Sequence, residues 1–381
     1  MLLVSCLIVA AGCRSAAFVA GAVVRQGASP YGSHGRLGLW RYEGLDSDMP
    51  PRIRPGTYAT ATRGVPFLDP TSLGPHSYRF NWAERNGIVY TCRGGHIDIA
   101  HVRKAADCTG YLAALTLEHL RKGETRFQCR LIEPSLYFVT LTPPPEWDRL
   151  GDVERERIAR DVSRELAQYV AFTSLTWHEF LTWFGYQPRP HKSEFPSAFS
   201  WEDTYSNLLG VHVAGAALEG ESGVFSEVLT AVLDQRLQEL GGLPARVGKP
   251  ATRTMDGTWY TRGWFSTKVW ERNFDLGLDD GYVTPTLIPA VPGCDAADPL
   301  PLAVPTLDSL ARFGFSAKVE IEGRVWELKK IRKALAVEGC PPVERLDPVV
   351  HYPPLIDYLR HANEEMLRDH RQRIVQSVPC P

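Results

Sequence analysis

The stretch that most constrains the fold runs from Val89 to Lys122, VYTCRGGHIDIAHVRKAADCTGYLAALTLEHLRK. A buried strand, Ile88 to Thr91, ends at Gly94-Gly95, and a long helix follows as far as Lys122, where Gly123 supplies a stop. On a helical wheel over 97–122, at about 100° per residue, Val102, Ala105, Cys108, Leu112, Ala113 and Leu120 share a wide apolar arc. Arg103, Lys104, Asp107, Glu118 and Arg121 lie together opposite it and read as the solvent face. Arg103 and Asp107 have the four-residue spacing of a surface ion pair. Asp98 and His101 break the pattern by falling inside the apolar arc. A carboxylate in the first turn is favoured by the helix dipole, but it needs a partner if buried.

The rest of the chain supplies what this helix packs against. Residues 37–86 are rich in Pro, Gly and aromatics without periodicity and read as loops and short strands. Arg126–Ile132 and Ser135–Thr142 predict paired strands around Glu133-Pro134. Asp152 to Phe184 carries a helical stripe that includes Ile158, Val162, Leu166, Val170, Trp177 and Leu181. Ser200-Trp201-Glu202-Asp203 has the shape of a capping box and opens a helix to about Leu218. Phe225–Leu240 is a further helix closed by Gly241-Gly242, and 243–305 is loop-rich. A strand within Gly314–Glu322 and helices over Val325–Leu335 and Pro354–Val375 complete the chain. These elements predict an α+β fold, a mostly helical single domain over 37–381 with a small antiparallel sheet.

Chemistry concentrates on a few polar residues at buried positions. Asp98 and His101 lie three residues apart, and His212 falls within the apolar stripe of Trp201, Tyr205, Leu208 and Ala216 on the 201–218 helix. Two histidines and one carboxylate suit zinc or a related divalent ion. The first expectation is therefore a metal site of Asp98, His101 and His212, with Glu179 or Glu202 as general base of a hydrolase. His96 joins this set only if the helix starts after it. The bland reading is that Asp98 caps the helix, His101 bonds a backbone carbonyl and His212 is a satisfied core histidine. The string His178-Glu179-Phe180-Leu181-Thr182 lacks the second histidine of a zinc-protease helix, and its His178 and Glu179 lie off the stripe, in exposed or groove-lining positions. The aromatics Trp177, Trp183, Tyr186, Phe195, Phe199 and Trp201 pack in the core or, alternatively, line a glycan-binding groove.

Composition narrows the setting. A net charge of -2 with no basic run gives no nucleic-acid signature. Eight cysteines occur, none in CxxC spacing. If Cys6 leaves with a signal peptide and Cys13 is modified, six remain, enough for three disulfides in an oxidising compartment or for buried free thiols. Residues 2–12 form an apolar run too short to span a bilayer.

Three resemblances add expectations. Val9-Ala10-Ala11-Gly12-Cys13 resembles the lipobox of bacterial lipoproteins, which implies a 1–12 signal peptide, lipidation of Cys13 and a 13–36 tether. Arg14, where inner-membrane lipoproteins carry Asp, implies an outer-membrane protein facing the periplasm, held by a lipid anchor. A transmembrane anchor over 1–24 and cleavage after Ala22 are the alternatives. Asp107-Cys108-Thr109-Gly110 resembles the nucleophile segment of NlpC/P60 cysteine peptidases, but here it lies well inside the helix. Finally, RGGHIDIAHVRKAADCTGYLA, EFPSAFSWEDTYSNLLG, WERNFDLGLDDGYVTPTLIP, GFSAKVEIEGRVWELKKI and HYPPLIDYLR together resemble a family of bacterial envelope proteins classed as a domain of unknown function. That resemblance covers roughly residues 75–380, implies an envelope location, and assigns no catalytic residue. A non-enzymatic structural or glycan-binding lipoprotein is the alternative to the hydrolase.

Overall fold

The computed structural model describes residues 44–45, 47–48, 50–57, 59–79, 81–187, 195–219, 223–263, 267–295 and 297–377. The signal segment, Cys13 and the tether lie outside the described residues. The fold is α+β and largely helical, as the sequence predicts.

The opening stretch departs from expectation first in where its helix starts. Strand β1 (Ile88–Thr91) pairs antiparallel with β2 (Gly95–Asp98), in the register Ile88↔Asp98 to Thr91↔Gly95. Residues 96–98 are thus strand, and α1 spans Ile99–Arg121. The Asp98 side chain sets that start by accepting the Ala100 N–H at 2.8 Å, an N-cap that satisfies one of the orphan donors of the first turn.

A three-stranded antiparallel sheet follows, with β4 (Leu136–Thr142) flanked by β3 (Arg126–Cys129) and the distant β9 (Ser316–Glu322). Between them lie the helices α2 (Asp152–Trp183), α3 (Asp203–Leu218) and α4 (Phe225–Glu239). The loop-rich region also holds a helix the sequence did not signal, α5 (Ala245–Arg253), with Pro250 inside it. The small hairpins β5 (Tyr260–Arg262) with β6 (Thr267–Val269), and β7 (Tyr282–Val283) with β8 (Leu302–Ala303), follow. Helices α6 (Leu328–Val337) and α7 (Pro348–Ser377) end the described chain. Among the described residues no helix is long and apolar enough to cross a membrane.

Helices α1, α2 and α3 pack on one another at the centre. Gly210 allows α3 to approach α1 closely, because a Cβ there would lie 2.2 Å from the Val102 carbonyl oxygen. Trp177 and Phe180 of α2 and Tyr205 and Leu208 of α3 are fully buried around this contact, each contributing about 1.5–3 kcal/mol relative to exposure.

The charged side of α1 is a solvent face only toward its C-terminal end, where Glu118 is half-buried and Arg121 exposed. Arg103, Lys104 and Asp107 are buried, and Arg103 and Asp107 are bonded to the loop segment 52–86. Arg54 reaches into this layer, pairing with Asp107 and, through Nε, with Glu84 Oε1 at 2.8 Å. His76 Nε2 lies 2.9 Å from Asp107 Oδ1. Arg103 donates to the carbonyls of Arg85 and Gly74, each at 2.8 Å. The expected surface pair Arg103–Asp107 is therefore replaced by a buried network, since each side chain finds better-placed partners on the covering loop.

The cysteines resolve into one bridge among the described residues, Cys92–Cys294, which closes a separation of 202 residues. Cys108, Cys129 and Cys340 are free thiols, so the three-disulfide expectation is not met there. Cys380 lies outside the described residues.

Candidate functional site

Four parts of the chain converge on His101. Asp98 sits at the junction of β2 and α1, with His101 one turn later. Asp203 opens α3, following the turn Phe199-Ser200-Trp201-Glu202. Glu179 comes from the end of α2, and the backbone at Gly56, Thr57 and Ala59 meets the group from the covering loop.

The imidazole is held from one side. His101 Nδ1 lies 3.2 Å from Asp98 Oδ2 and 3.1 Å from Asp203 Oδ1. Both carboxylates are fixed by other donors. Asp98 Oδ2 accepts the Thr57 N–H at 2.6 Å, and Asp203 Oδ2 accepts the Ser200 N–H at 3.1 Å and its hydroxyl at 2.9 Å. The Asp98 N–H donates to Ser206 Oγ at 3.0 Å, which ties the start of α1 to α3. The far edge of the ring faces Gly56, where a Cβ would lie 2.7 Å from both Cε1 and Nε2. Despite its proximity to the two carboxylates, Nδ1 is buried without a hydrogen bond of good geometry, no hydrogen bond to Nε2 is found among the described residues, and the side chain keeps 12 % of its surface exposed. Burial and the nearby Lys104 act to strip the proton from this ring, but the Asp98 and Asp203 carboxylates outweigh them and lift it from 6.5 to about 10. The imidazole is therefore a cation at neutral pH, with its Nε2–H on the edge that faces Gly56.

The surrounding carboxyls behave oppositely. Glu202 Oε1 accepts the Ala59 N–H at 3.0 Å, whereas its Oε2 is buried without a partner. Glu179 Oε2 accepts the Phe199 N–H at 2.9 Å. Burial first, and then the negative Asp203, push both carboxyls upward, Glu202 well above the ordinary carboxylate range. Backbone strain borders the same place. Phe199 (φ 54°) and Ala61 (φ 49°) adopt the left-handed conformation without being glycine, at a cost of about 1–2 kcal/mol each.

Several expected site residues stand elsewhere. His212 does not join Asp98 and His101. It lies nine residues beyond Asp203 on α3, about 13 Å along the axis at 1.5 Å per residue. Its Nε2 is bonded to the Ala303 carbonyl oxygen at 2.7 Å, so that nitrogen carries the proton and has no lone pair for a metal. Among the described residues no three His, Cys, Asp or Glu side chains form a group that could hold a metal ion. Glu179 and Glu202 do stand beside His101, but as buried, backbone-bonded carboxyls and not as bases open to water. Glu179 is thus not on an exposed face, and its neighbour His178 pairs instead with the buried Glu133 at 2.7 Å.

His96 is separate again. It accepts from Trp201 Nε1 through Nδ1 at 3.1 Å and lies 2.7 Å from Thr252 Oγ1 through Nε2. The Thr252 hydroxyl already donates to the Gly248 carbonyl, so Nε2 of His96 is the donor. Burial pushes this ring down to about 3 and keeps it neutral. Cys108 lies in the middle of α1, fully buried, and burial pushes its thiol up to about 12, far from the thiolate a cysteine peptidase uses. Trp177, Phe199 and Trp201 are core residues, and Trp183 is 7 % exposed.

The member the sequence reading missed as a site residue is Asp203. Its place in the capping box was visible, and its carboxylate does return to the Ser200 N–H, but its second oxygen turns to α1.

No curated protein and no solved structure matches the chain. A family described as a protein of unknown function, DUF4056, matches residues 73–279, a stretch that holds Asp98, His101, Glu179, Glu202 and Asp203 together. The chain belongs to the DUF4056 family.

Proposed function

We propose that this chain is a hydrolase of the bacterial cell envelope in which His101 is the proton donor. The observation that carries this reading is the placement of His101, whose Nδ1 lies within 3.2 Å of two fixed carboxylates while no hydrogen bond to Nε2 is found among the described residues. An oriented imidazolium of this kind donates its Nε2 proton to a leaving oxygen or nitrogen as the scissile bond breaks, while the attacking water forms the new bond and releases its proton to bulk solvent, from which the ring is reprotonated. Asp98 and Asp203 are positioning residues that fix the ring and stabilise its charge. Buried ionisable groups and strained backbone are costly for stability alone, and such costs cluster at functional sites. The envelope location rests on the Cys13 segment, and the Cys92–Cys294 bridge suits an oxidising compartment.

The test is an assay of purified protein against ester, amide and glycoside substrates beside His101→Gln. One substrate class is expected to be turned over, with the variant slower by about 10²–10⁴-fold and similarly folded. Stoichiometric zinc lost on Asp98→Ala would instead return the site to a metal-assisted hydrolase. Incorporation of labelled palmitate, abolished in Cys13→Ser, tests the anchor.

A second reading is favoured by the bonds from Thr57 and Ala59 to Asp98 and Glu202. In that reading the group is a structural latch of a non-enzymatic envelope protein, and His101→Gln lowers stability while no substrate class is turned over. Retention on cell-wall glycan, lost in Trp183→Ala, would favour a glycan-binding role.

A further inference from the structure

A cleft of about 560 Å³ lies away from His101, between the Phe195–Pro196 turn, the β5–β6 hairpin and α7. Its volume is that of a small-molecule site. Phe195, Trp270 and Met366 give it an apolar wall, and Lys268, Arg272 and Asp369 supply charge.

Arg272 is the unusual member. Its Nη atoms donate to the Ala198 and Phe195 carbonyls, and its guanidinium carbon sits 5.0 Å from the Trp183 ring centroid and 5.3 Å from that of Phe195. Its Nε is buried with no hydrogen-bond partner. Asp203 and Glu179 act on it at longer range without forming an ion pair. Asp203 is already engaged by His101 and Ser200, and the Glu179 carboxyl is pushed toward its neutral form. Among the described residues a cation thus lines the cleft without a carboxylate of its own, a costly arrangement unless an anion completes it. Lys268 adds a second cation over the Trp270 ring, at 6.0 Å. Among the described residues Asp369 is the single acidic member of the lining, so the balance favours an anion.

We propose that this cleft binds a small amphiphilic carboxylate, its anion met by Arg272 and Lys268 and its hydrocarbon or aromatic body laid along Phe195, Trp270 and Met366. The planar guanidinium suits a carboxylate, since Arg presents more N–H donors than the two bonded to carbonyls. His101 is not part of the lining, so this site stands or falls independently of the proton-donor proposal.

Calorimetric titration of the full chain with octanoate and with 1-octanol tests it, because the two probes share an apolar body and differ in charge. Octanoate is expected to bind at least about tenfold more tightly, to weaken severalfold in Lys268→Gln, and to be lost in Met366→Trp, which fills the cleft. Arg272→Gln is expected to remove the preference for the anion. If that variant does not fold, the Lys268 and Met366 variants, at partly exposed positions, carry the test. Equal binding of the two probes, no octanoate binding at millimolar concentration, or unchanged binding in Met366→Trp would overturn the proposal.

Discussion

Gly56 has no side chain where the edge of the His101 ring occupies the space one would fill, with a virtual Cβ 2.7 Å from two ring atoms. Gly56→Ala must therefore displace either the ring or the covering backbone. The expected loss is about 1–3 kcal/mol in urea unfolding, and an unchanged midpoint would mean that the loop does not press on His101. Asp98 and His101 were legible in the sequence because the wheel set them on the buried side of α1. His212 was misjudged because a wheel reports the face of a helix and discards distance along its axis. Its stripe is buried, as expected, but it is nine residues from the turn that meets His101. Asp203 was hidden by its local role, since a capping carboxylate has two oxygens and the second is free to bridge helices. Glu179 and Glu202 were found as neighbours of the site, but their protonation is set by burial that single-chain patterns do not reveal.

At the scale of elements, the sequence predicted most of the helices and the β3–β4 pairing, because these carry long periodic runs. It did not reveal what covers α1. The segment 52–86 has no periodicity to read, so the Arg103–Asp107 side of the helix was taken for solvent. The pairings of Arg54 and His76 with Asp107 attach the segment to α1 by charge as well as by packing, and Arg54–Glu84 ties the segment to itself. Burial acts to raise the Glu84 carboxyl, but Arg54, Arg103 and Arg52 outweigh it and hold it at about 2. Glu84 therefore adds stability above about pH 4.5, which is lost as pH falls toward 2. Arg54→Met leaves two buried carboxylates without their shared partner and is expected to cost about 3–5 kcal/mol in unfolding free energy. A loss below about 1 kcal/mol would show the loop to be held by other contacts. Helix α5 was missed for a related reason, since Pro250 and a short length conceal it, yet it supplies Thr252 to His96.

For the whole molecule, the alkaline side of the stability curve follows from the same centre. The His101 proton is bound more tightly in the folded chain, so its contribution is fully present below about pH 6.5 and is lost as pH rises through about 10. Glu179 and Glu202 act in the same direction, because ionisation is favoured in the unfolded chain above about 4.5. Stability from urea unfolding is expected to decline from about pH 7 to about 10, and His101→Gln is expected to flatten that decline. An equally steep decline in the variant would assign it to other groups. The claim on which the functional account depends is that Asp98 and Asp203 keep His101 protonated, and a histidine-selective NMR titration reads this directly. The account predicts that His101 stays an imidazolium from about pH 5 to about 9, titrates near 10, and moves toward 6.5 in Asp203→Asn. A wild-type midpoint near 6.5, unchanged in that variant, would contradict it.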